Sequence, residues 1–141
     1  IMPIYQAQTD SFKVQLLNAQ HNFSANTFKI ALYAGNSSIS NATTAYTTTG
    51  EVTGTGYSAG GKLCENVTVN QDPTNGIVYV SFNNVVWTNA NFTCRGALIY
   101  NVTQGNKSIA VLDFGSNKTA TGTFTITFPA DTSTAAVIRM K

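Results

Sequence analysis

Charged residues are scarce in this chain. Asp, Glu, Lys and Arg together make up 10% of its 141 residues, and the formal net charge at pH 7 is +2. An ordinary soluble domain contains about 25% charged residues; here Thr, Asn, Ser, Ala and Gly take their place. The basic side chains are spread from Lys13 to Lys141 without a cluster. Because binding to a phosphate backbone needs a basic patch, nucleic acid is not an expected partner.

Long apolar runs are missing as well. No run approaches the roughly 18 residues that a membrane span requires, so no membrane partner is expected. Residues 1–6 contain neither the basic block nor the apolar block of a secretion signal. Because Ile1 precedes Met2, we expect a chain that either was trimmed at its N-terminus or begins upstream of Ile1.

Cysteine is limited to Cys64 and Cys94. Neither residue has a CxxC neighbour or a nearby histidine, so a metal site at either position is a poor fit. We expect free and largely buried thiols, because cysteine is among the most buried residue types. A disulfide is the alternative; it would close a loop of about 30 residues and add on the order of 3 kcal/mol.

Residue types that carry catalysis are few and dispersed. The single histidine, His21, is expected to be a surface or capping residue rather than a base or a metal ligand. The acidic residues stand singly, at Asp10, Glu51, Glu65, Asp72, Asp113 and Asp131. Glycosidase chemistry needs two carboxylates that face each other across a sugar, and no spacing here predicts such a pair. We therefore predict that the protein is not an enzyme and has no catalytic, cofactor-binding or metal-binding residues and no cofactor.

Alternation of apolar and polar residues predicts β-strands over most of the chain. Phe28, Ile30 and Leu32 alternate with Lys29, Ala31 and Tyr33. Turn residues separate further predicted strands at 46–52, 63–69, 77–82, 85–88, 97–102, 108–114, 123–128 and 135–140. No long helix separates any two of them, which favours antiparallel pairing. We predict one all-β domain over residues 11–141, an antiparallel β-sandwich of jelly-roll-like type, with an Ig-like sandwich as the alternative.

The N-terminal segment has a different pattern. Residues 1–10 are predicted to form an extended arm that is uncharged up to Asp10. Residues 11–19 then predict a short helix, with Phe12 and Leu16 on one face and Asp10 as its N-cap. A helix of two or three turns is marginal alone, so it is expected to pack against the β domain.

A long loop is predicted over residues 37–59, which are rich in Thr and Gly. Loops of this kind commonly carry binding surfaces. The stretch from Gly54 to Ala59 lacks the strand-loop-helix frame of a phosphate-binding loop. Phe82 and Trp87 are expected to be core residues; a sugar-stacking platform made of Phe82, Trp87 and Phe92 is the alternative.

Eight N-x-S/T sequons are present, and glycosylation is one interpretation of them. Two of them, at Asn66 and Asn101, fall on or beside predicted strands. We therefore expect the abundance of Asn, Ser and Thr to account for these sequons. A glycosylated secreted domain is kept as a third functional interpretation.

Six segments of the chain are distinctive in combination. They are TFKIALY (27–33), TAYT (44–47), GEVTGTGYSAGG (50–61), RGALIYN (95–101), AVLDFG (110–115) and FTITFP (124–129). Together they resemble a family of small virion structural proteins encoded by tailed bacteriophages. The resemblance extends from about residue 11 to the C-terminus, and it carries no catalytic residues.

This resemblance implies a structural role in a virion. The expected function is that of a capsid decoration, or cement, protein that binds the outer surface of an HK97-like capsid and stabilises it. Its expected partners are the major capsid protein and copies of itself, as a homodimer or a homotrimer. The alternative is a phage tail or neck component, such as a receptor- or glycan-binding module.

Two segments are the candidate capsid contacts. An extended, uncharged arm can add as a strand to a neighbour's sheet edge, and the glycine-rich loop offers an adaptable surface. The candidate contact residues are Pro3, Ile4, Tyr5, Gln6, Gly54, Gly56 and Tyr57.

Overall fold

The computed structural model describes residue 4, residues 6–128 and residues 136–140. It contains one short helix, α1 (Asp10–Leu17), and eight strands. The strands are β1 (Ala7–Gln8), β2 (Phe28–Tyr33), β3 (Lys62–Leu63), β4 (Thr68–Asp72), β5 (Ile77–Ser81), β6 (Val85–Asn101), β7 (Lys107–Ile126) and β8 (Ile138–Met140). The predicted all-β class is confirmed.

The strands form two antiparallel sheets. The larger sheet has the order β1-β7-β6-β2-β3, and the smaller sheet has the order β4-β5-β8. Both contribute to one apolar core, in which Leu32 and Ile99 from the larger sheet are clustered with Val80 and Ile138 from the smaller one. Burial of this shared core is what holds the two sheets in one unit.

A long hairpin of β6 and β7 is the main structural element. Its strands are 17 and 20 residues long, whereas the sequence predicts four short strands in these regions. The turn residues predicted at 115–118 lie inside β7. Register shifts between Thr88 and Ala90 and between Cys94 and Gly96 let the pairing continue past the predicted breaks, because a β-bulge bends a strand without ending it.

Two other predicted strands are wrong. Residues 46–52 form no strand; the nearest pairings are the isolated bridges of Ala45 with Lys107 and of Tyr33 with Glu51. The strand predicted at 63–69 is replaced by the separate strands β3 and β4. Asn66, which has a φ of 52°, lies between them, and such a left-handed residue interrupts an extended strand.

Helix α1 is confirmed, but its cap differs from the prediction. Thr9 is the N-cap residue, and its side chain accepts a hydrogen bond from the Phe12 amide at 3.3 Å. Asp10 is instead the first helical residue. Phe12 is buried in the core, so an eight-residue helix that would be marginal alone is held by tertiary packing.

The described part of the predicted N-terminal arm is docked on the chain's own sheet. Ala7 and Gln8 pair with Val111 and Ala110 of β7. Ile4, a predicted capsid contact, is instead a core residue with 3% of its surface exposed. The predicted contacts Pro3 and Tyr5 lie outside the described residues.

The outer face of the larger sheet is covered only in part. Near the β6–β7 turn, Ile4, Tyr33, Leu98, Tyr100 and Val111 form a second apolar cluster on this face. Ile39 from the 37–59 loop belongs to the same cluster. Farther from the turn, the face carries exposed polar side chains, and this part holds the candidate surface.

Candidate binding surface

An exposed threonine-rich surface covers the far half of the β6–β7 hairpin. Cross-strand pairs set its rows, and every member is exposed and uncharged. We call it the threonine face; its residues are Val86 with Thr125, Thr88 with Thr123, Asn91 with Thr121, and Thr93 with Thr119.

The sequence produces this face by strict alternation. From Thr119 to Thr127 every second residue is Thr, and successive side chains of a strand point to opposite faces. The intervening residues Ala120 and Ile126 are buried in the core. Threonine is also a good strand former because its branched Cβ packs well on a pleated surface.

Core packing beneath the threonine face is aromatic. Phe82 and Trp87 are buried, with 5% and 1% of their surfaces exposed, which confirms the core prediction for both, and Phe92 is buried as well, at 5%. Phe124 lies between Trp87 and Phe92, with ring centroids at 6.1 and 5.6 Å. These rings hold the hairpin against the core and leave only its outer face for binding.

Hydroxyl and methyl groups are presented at regular spacing on this face. Rows along a strand repeat every ~6.7 Å, and neighbouring strands are ~4.8 Å apart. The Thr93 and Thr119 hydroxyl oxygens lie 3.0 Å apart, so cross-strand threonines already bond to each other. Without charges, such a surface offers hydrogen bonds and van der Waals contacts that salt screens little.

The predicted glycine-rich binding loop borders the threonine face. The Asn91 amide donates to the Thr55 carbonyl at 2.9 Å, which adds Thr55 to the row of Asn91. A Cβ at Gly54 would lie 2.7 Å from the Asn91 carbonyl oxygen, and one at Gly56 would lie 2.6 Å from that of Asn89. These glycines are therefore needed for the loop to lie against β6.

Tyr57, another predicted contact, is only half exposed. Its hydroxyl accepts a hydrogen bond from the Leu32 amide at 2.9 Å and donates one to Glu51 Oε2 at 2.6 Å. Burial, and then the bond to Glu51, raise the pKa of Tyr57 well above its usual range. Its hydroxyl is thus committed inside the protein, and its role in the loop is anchoring.

Glu51 is the centre of this anchoring network. Besides Tyr57, the Tyr46 hydroxyl donates to Glu51 Oε1 at 2.6 Å, and the Gly60 amide donates to Oε2 at 2.8 Å. Tyr100 in turn donates to the Gly60 carbonyl at 2.6 Å. The loop is therefore fixed before any partner binds, which lowers the conformational entropy lost on binding.

Gln6 is the remaining predicted contact among the described residues. It is exposed, but its side-chain oxygen accepts a hydrogen bond from the Asp113 amide of β7 at 3.1 Å. This bond continues the docking of β1 on the sheet. Gln6 and the loop glycines consequently lie in two separate regions that the structure does not join into one site.

His21 is buried, contrary to the prediction of a surface or capping residue. It is 6% exposed, and both ring nitrogens have partners: Asn101 Nδ2 lies 3.0 Å from Nδ1, and Gln15 Oε1 lies 2.9 Å from Nε2. Burial, and then the charge of Lys107, lower its pKa from 6.5. Since the Asn101 side chain is fully buried and bonded to His21, the sequon at Asn101 is inaccessible to glycosylation.

An apolar groove lies between α1 and the smaller sheet. Its volume is about 520 Å³, and its lining includes Phe12, Leu16, Val78 and Met140. Leu17 at its rim is 83% exposed. Sequence reasoning missed this groove because its walls come from three segments that are far apart in the chain.

Other kinds of site find no support in the described part of the chain. There, no three His, Cys, Asp or Glu side chains are grouped as a metal site requires. Cys64 and Cys94 are free and buried, as predicted. Within residues 4–128 and 136–140, apart from residue 5, no helix has the length and apolarity to cross a membrane.

No protein-family model, no curated protein and no solved structure matches this chain.

Proposed function

We propose that this protein is a structural component of a phage virion, a decoration or cement protein that binds the outer surface of an HK97-like capsid and stabilises it. The segments that resemble small virion structural proteins support this role. The observation that carries it is the threonine face, a broad, exposed and uncharged β-surface bordered by a fixed loop.

A cement protein has to bury area on neighbouring shell subunits without distorting them. The threonine face suits this task because it combines donors, acceptors and methyl groups on a rigid hairpin. The Glu51 network keeps Thr55 and the loop glycines beside it. Binding by such a surface needs few ordering steps, which favours affinity.

The proposal includes self-association as a homodimer or a homotrimer, which would match the symmetric positions of an icosahedral shell. It also includes a sandwich of jelly-roll-like type. The apolar core shared by the two sheets supports the sandwich, for which an Ig-like type is the alternative.

A tail or neck module that binds glycans is the alternative. That function was expected to use an aromatic platform, but Phe82, Trp87 and Phe92 are buried. No observation therefore favours it over the capsid role. Copy number separates the two, since a decoration protein is present in hundreds of copies per particle and a tail module in a few dozen at most.

Co-sedimentation with expanded HK97-like capsids that lack their decoration protein tests the proposal. We expect saturation at a fixed ratio near one copy per capsid subunit. Charge introduced on the face by Thr88→Glu should weaken binding at least tenfold, whereas Thr74→Glu in the exposed β4–β5 turn should not. Absence of binding to shells would contradict the capsid role.

Salt dependence gives a second readout from the same assay. Because the face carries no charge, the bound fraction should change little between low and moderate salt. A steep loss of binding across that range would show that charged residues elsewhere on the chain make the contact.

A further inference from the structure

Among the described residues, the outer edge of β7 has no partner strand over its second half. β6 pairs with one edge of β7 from Lys107 to Ile126. On the other edge, β1 pairs only with Ala110 and Val111. No strand pairs with this edge beyond Val111 among these residues, so the backbone donors and acceptors that point to this edge from residues 116–126 have no partner strand.

Residues 116–126 of this edge carry few of the side chains that usually protect an exposed strand. Natural proteins block such strands with proline, several charges or a covering loop. Residues 116–126 contain no proline, and Lys118 is their one charged residue. The segment is otherwise rich in Thr, which favours extension of a sheet.

An apolar notch lies at the same edge. Phe114 and Phe124 are half-buried, with ring centroids 6.2 Å apart. Together with Lys118, Thr125, Ile126 and Thr127 they line a cavity of about 370 Å³. A strand added to β7 would place its own side chains over these rings and remove apolar surface from water.

We propose that two copies of this chain pair antiparallel through the open edges of β7, about a twofold axis perpendicular to the larger sheet. Such an axis places the threonine faces of the two copies on the same side of the joined sheet. Odd-numbered residues of one copy then oppose odd-numbered residues of the other. In every register that pairs odd-numbered with odd-numbered residues, the threonine row of one copy therefore lies on the same face as the threonine row of its partner.

Chemical complementarity supports a second copy as the occupant. The bond between Thr93 and Thr119 shows that cross-strand threonines on this face are already compatible. With the axis at Thr121, Lys118 opposes Phe124 of the second copy; with the axis at Gly122, it opposes Ile126. Neither of these two registers brings two lysines together, so pairing in either register faces no like-charge repulsion.

This pairing deepens the self-association included in the proposed function and selects the dimer. It joins two five-stranded sheets edge to edge and makes one continuous threonine face from two. The pairing is tested on the free protein without capsids. Absence of the dimer would therefore not contradict the shell-binding proposal, and absence of shell binding would not contradict the dimer.

Sedimentation equilibrium over a wide concentration range gives the first test. We expect a monomer–dimer equilibrium that Thr121→Glu weakens at least tenfold, because two carboxylates then lie near the axis. Thr88→Glu, on the same face but one strand farther from the edge, should leave the equilibrium unchanged. A monomer at every concentration, a trimer, or equal effects of both variants would overturn the proposal.

Cysteine scanning locates the axis. Thr119→Cys, Thr121→Cys, Thr123→Cys and Thr125→Cys are each oxidised mildly, and Thr88→Cys is the control. Cys64 and Cys94 are buried and do not compete. We expect a disulfide-linked dimer at one or two adjacent positions, because only residues beside the axis approach their own copies within disulfide distance. Cross-linking that is equal at all positions, or absent at all of them, would contradict the pairing.

Discussion

Tyr57 and Glu51 join the glycine-rich loop to the larger sheet. The Tyr57 hydroxyl accepts a hydrogen bond from the Leu32 amide of β2 and donates one to Glu51 Oε2 at 2.6 Å. The backbone of β2 is therefore hydrogen-bonded, at Leu32, to the Tyr57 side chain of the loop. The loop that borders the threonine face is thus part of the folded framework.

Removal of the Glu51 carboxylate should destabilise the protein markedly. Glu51→Ala leaves the Tyr46 and Tyr57 hydroxyls and the Gly60 amide without their acceptor. Since hydrogen bonds to charged groups contribute about 1.5–3 kcal/mol each, we expect a loss of about 2 kcal/mol or more in the free energy of unfolding. Urea unfolding monitored by tryptophan fluorescence measures it.

Glu65→Ala is the matched control, because Glu65 is exposed. Its effect should stay within about 0.5 kcal/mol, as for most surface substitutions. Equal effects of the two variants would mean that the Glu51 network adds nothing to stability.

Gly61 should tolerate no side chain. A Cβ there would lie 1.8 Å from the Ile30 carbonyl oxygen, and its φ is +78°. Gly76 has a similar φ of +66° but open space around the same position. In both alanine variants the left-handed backbone conformation costs about 1–2 kcal/mol of stability. Only Gly61→Ala also pushes the loop away from the β2 backbone at Ile30.

Thermal and urea unfolding of the two variants separate these effects. Gly61→Ala should lose at least about 2 kcal/mol more than Gly76→Ala, or should fail to accumulate in folded form. A Gly61→Ala protein that is as stable as Gly76→Ala would show that the loop does not lie this close to β2.

The fold class was predictable because alternation extends through most of the chain. Phe28, Ile30 and Leu32 mark a strand in the sequence, and they form β2 in the structure. Strand lengths were not predictable from the same pattern. Gly115 is a typical turn residue, yet with a φ of +82° it lies within β7. Residues before and after Gly115 pair with β6, and this pairing outweighs the local turn preference.

The candidate surface was only partly predictable. The loop at Gly54 and Gly56 was identified from its composition, but its anchoring by Glu51 depends on contacts that composition does not encode. The alternating threonines from Thr119 to Thr127 are visible in the sequence. Their exposure is not, because it depends on how far the 37–59 loop covers the sheet.

Thiol reactivity should be negligible in the native protein. Cys64 and Cys94 are both buried in the core, and burial raises the pKa of each thiol to about 12. Since the thiolate is the reactive form, an aromatic disulfide reagent at pH 8 should label neither residue in buffer and both in urea. Labelling of one thiol under native conditions would reveal local opening around that residue.

His21 should make stability depend on pH below neutrality. Asn101 Nδ2 can only donate, so the facing Nδ1 accepts and Nε2 donates to Gln15 Oε1. This arrangement needs a neutral ring, and the pKa of His21 is lowered by burial and then by Lys107. Below the unfolded value of about 6.5 the unfolded chain binds a proton that the folded chain resists, so the free energy of unfolding falls with pH.

The comparison of wild type with His21→Gln isolates this effect. Glutamine can accept from Asn101 and donate to Gln15, but it does not titrate. Urea unfolding between pH 7.5 and pH 5.5 should show a wild-type loss that approaches at most about 1.4 kcal/mol per pH unit, and a flatter profile in the variant. Since other groups contribute equally to both proteins, the difference between the two profiles belongs to His21. Parallel profiles would mean that the buried imidazole accepts a proton as readily in the folded chain as in the unfolded one. The hydrogen bond from Asn101 would then not lower the pKa of His21.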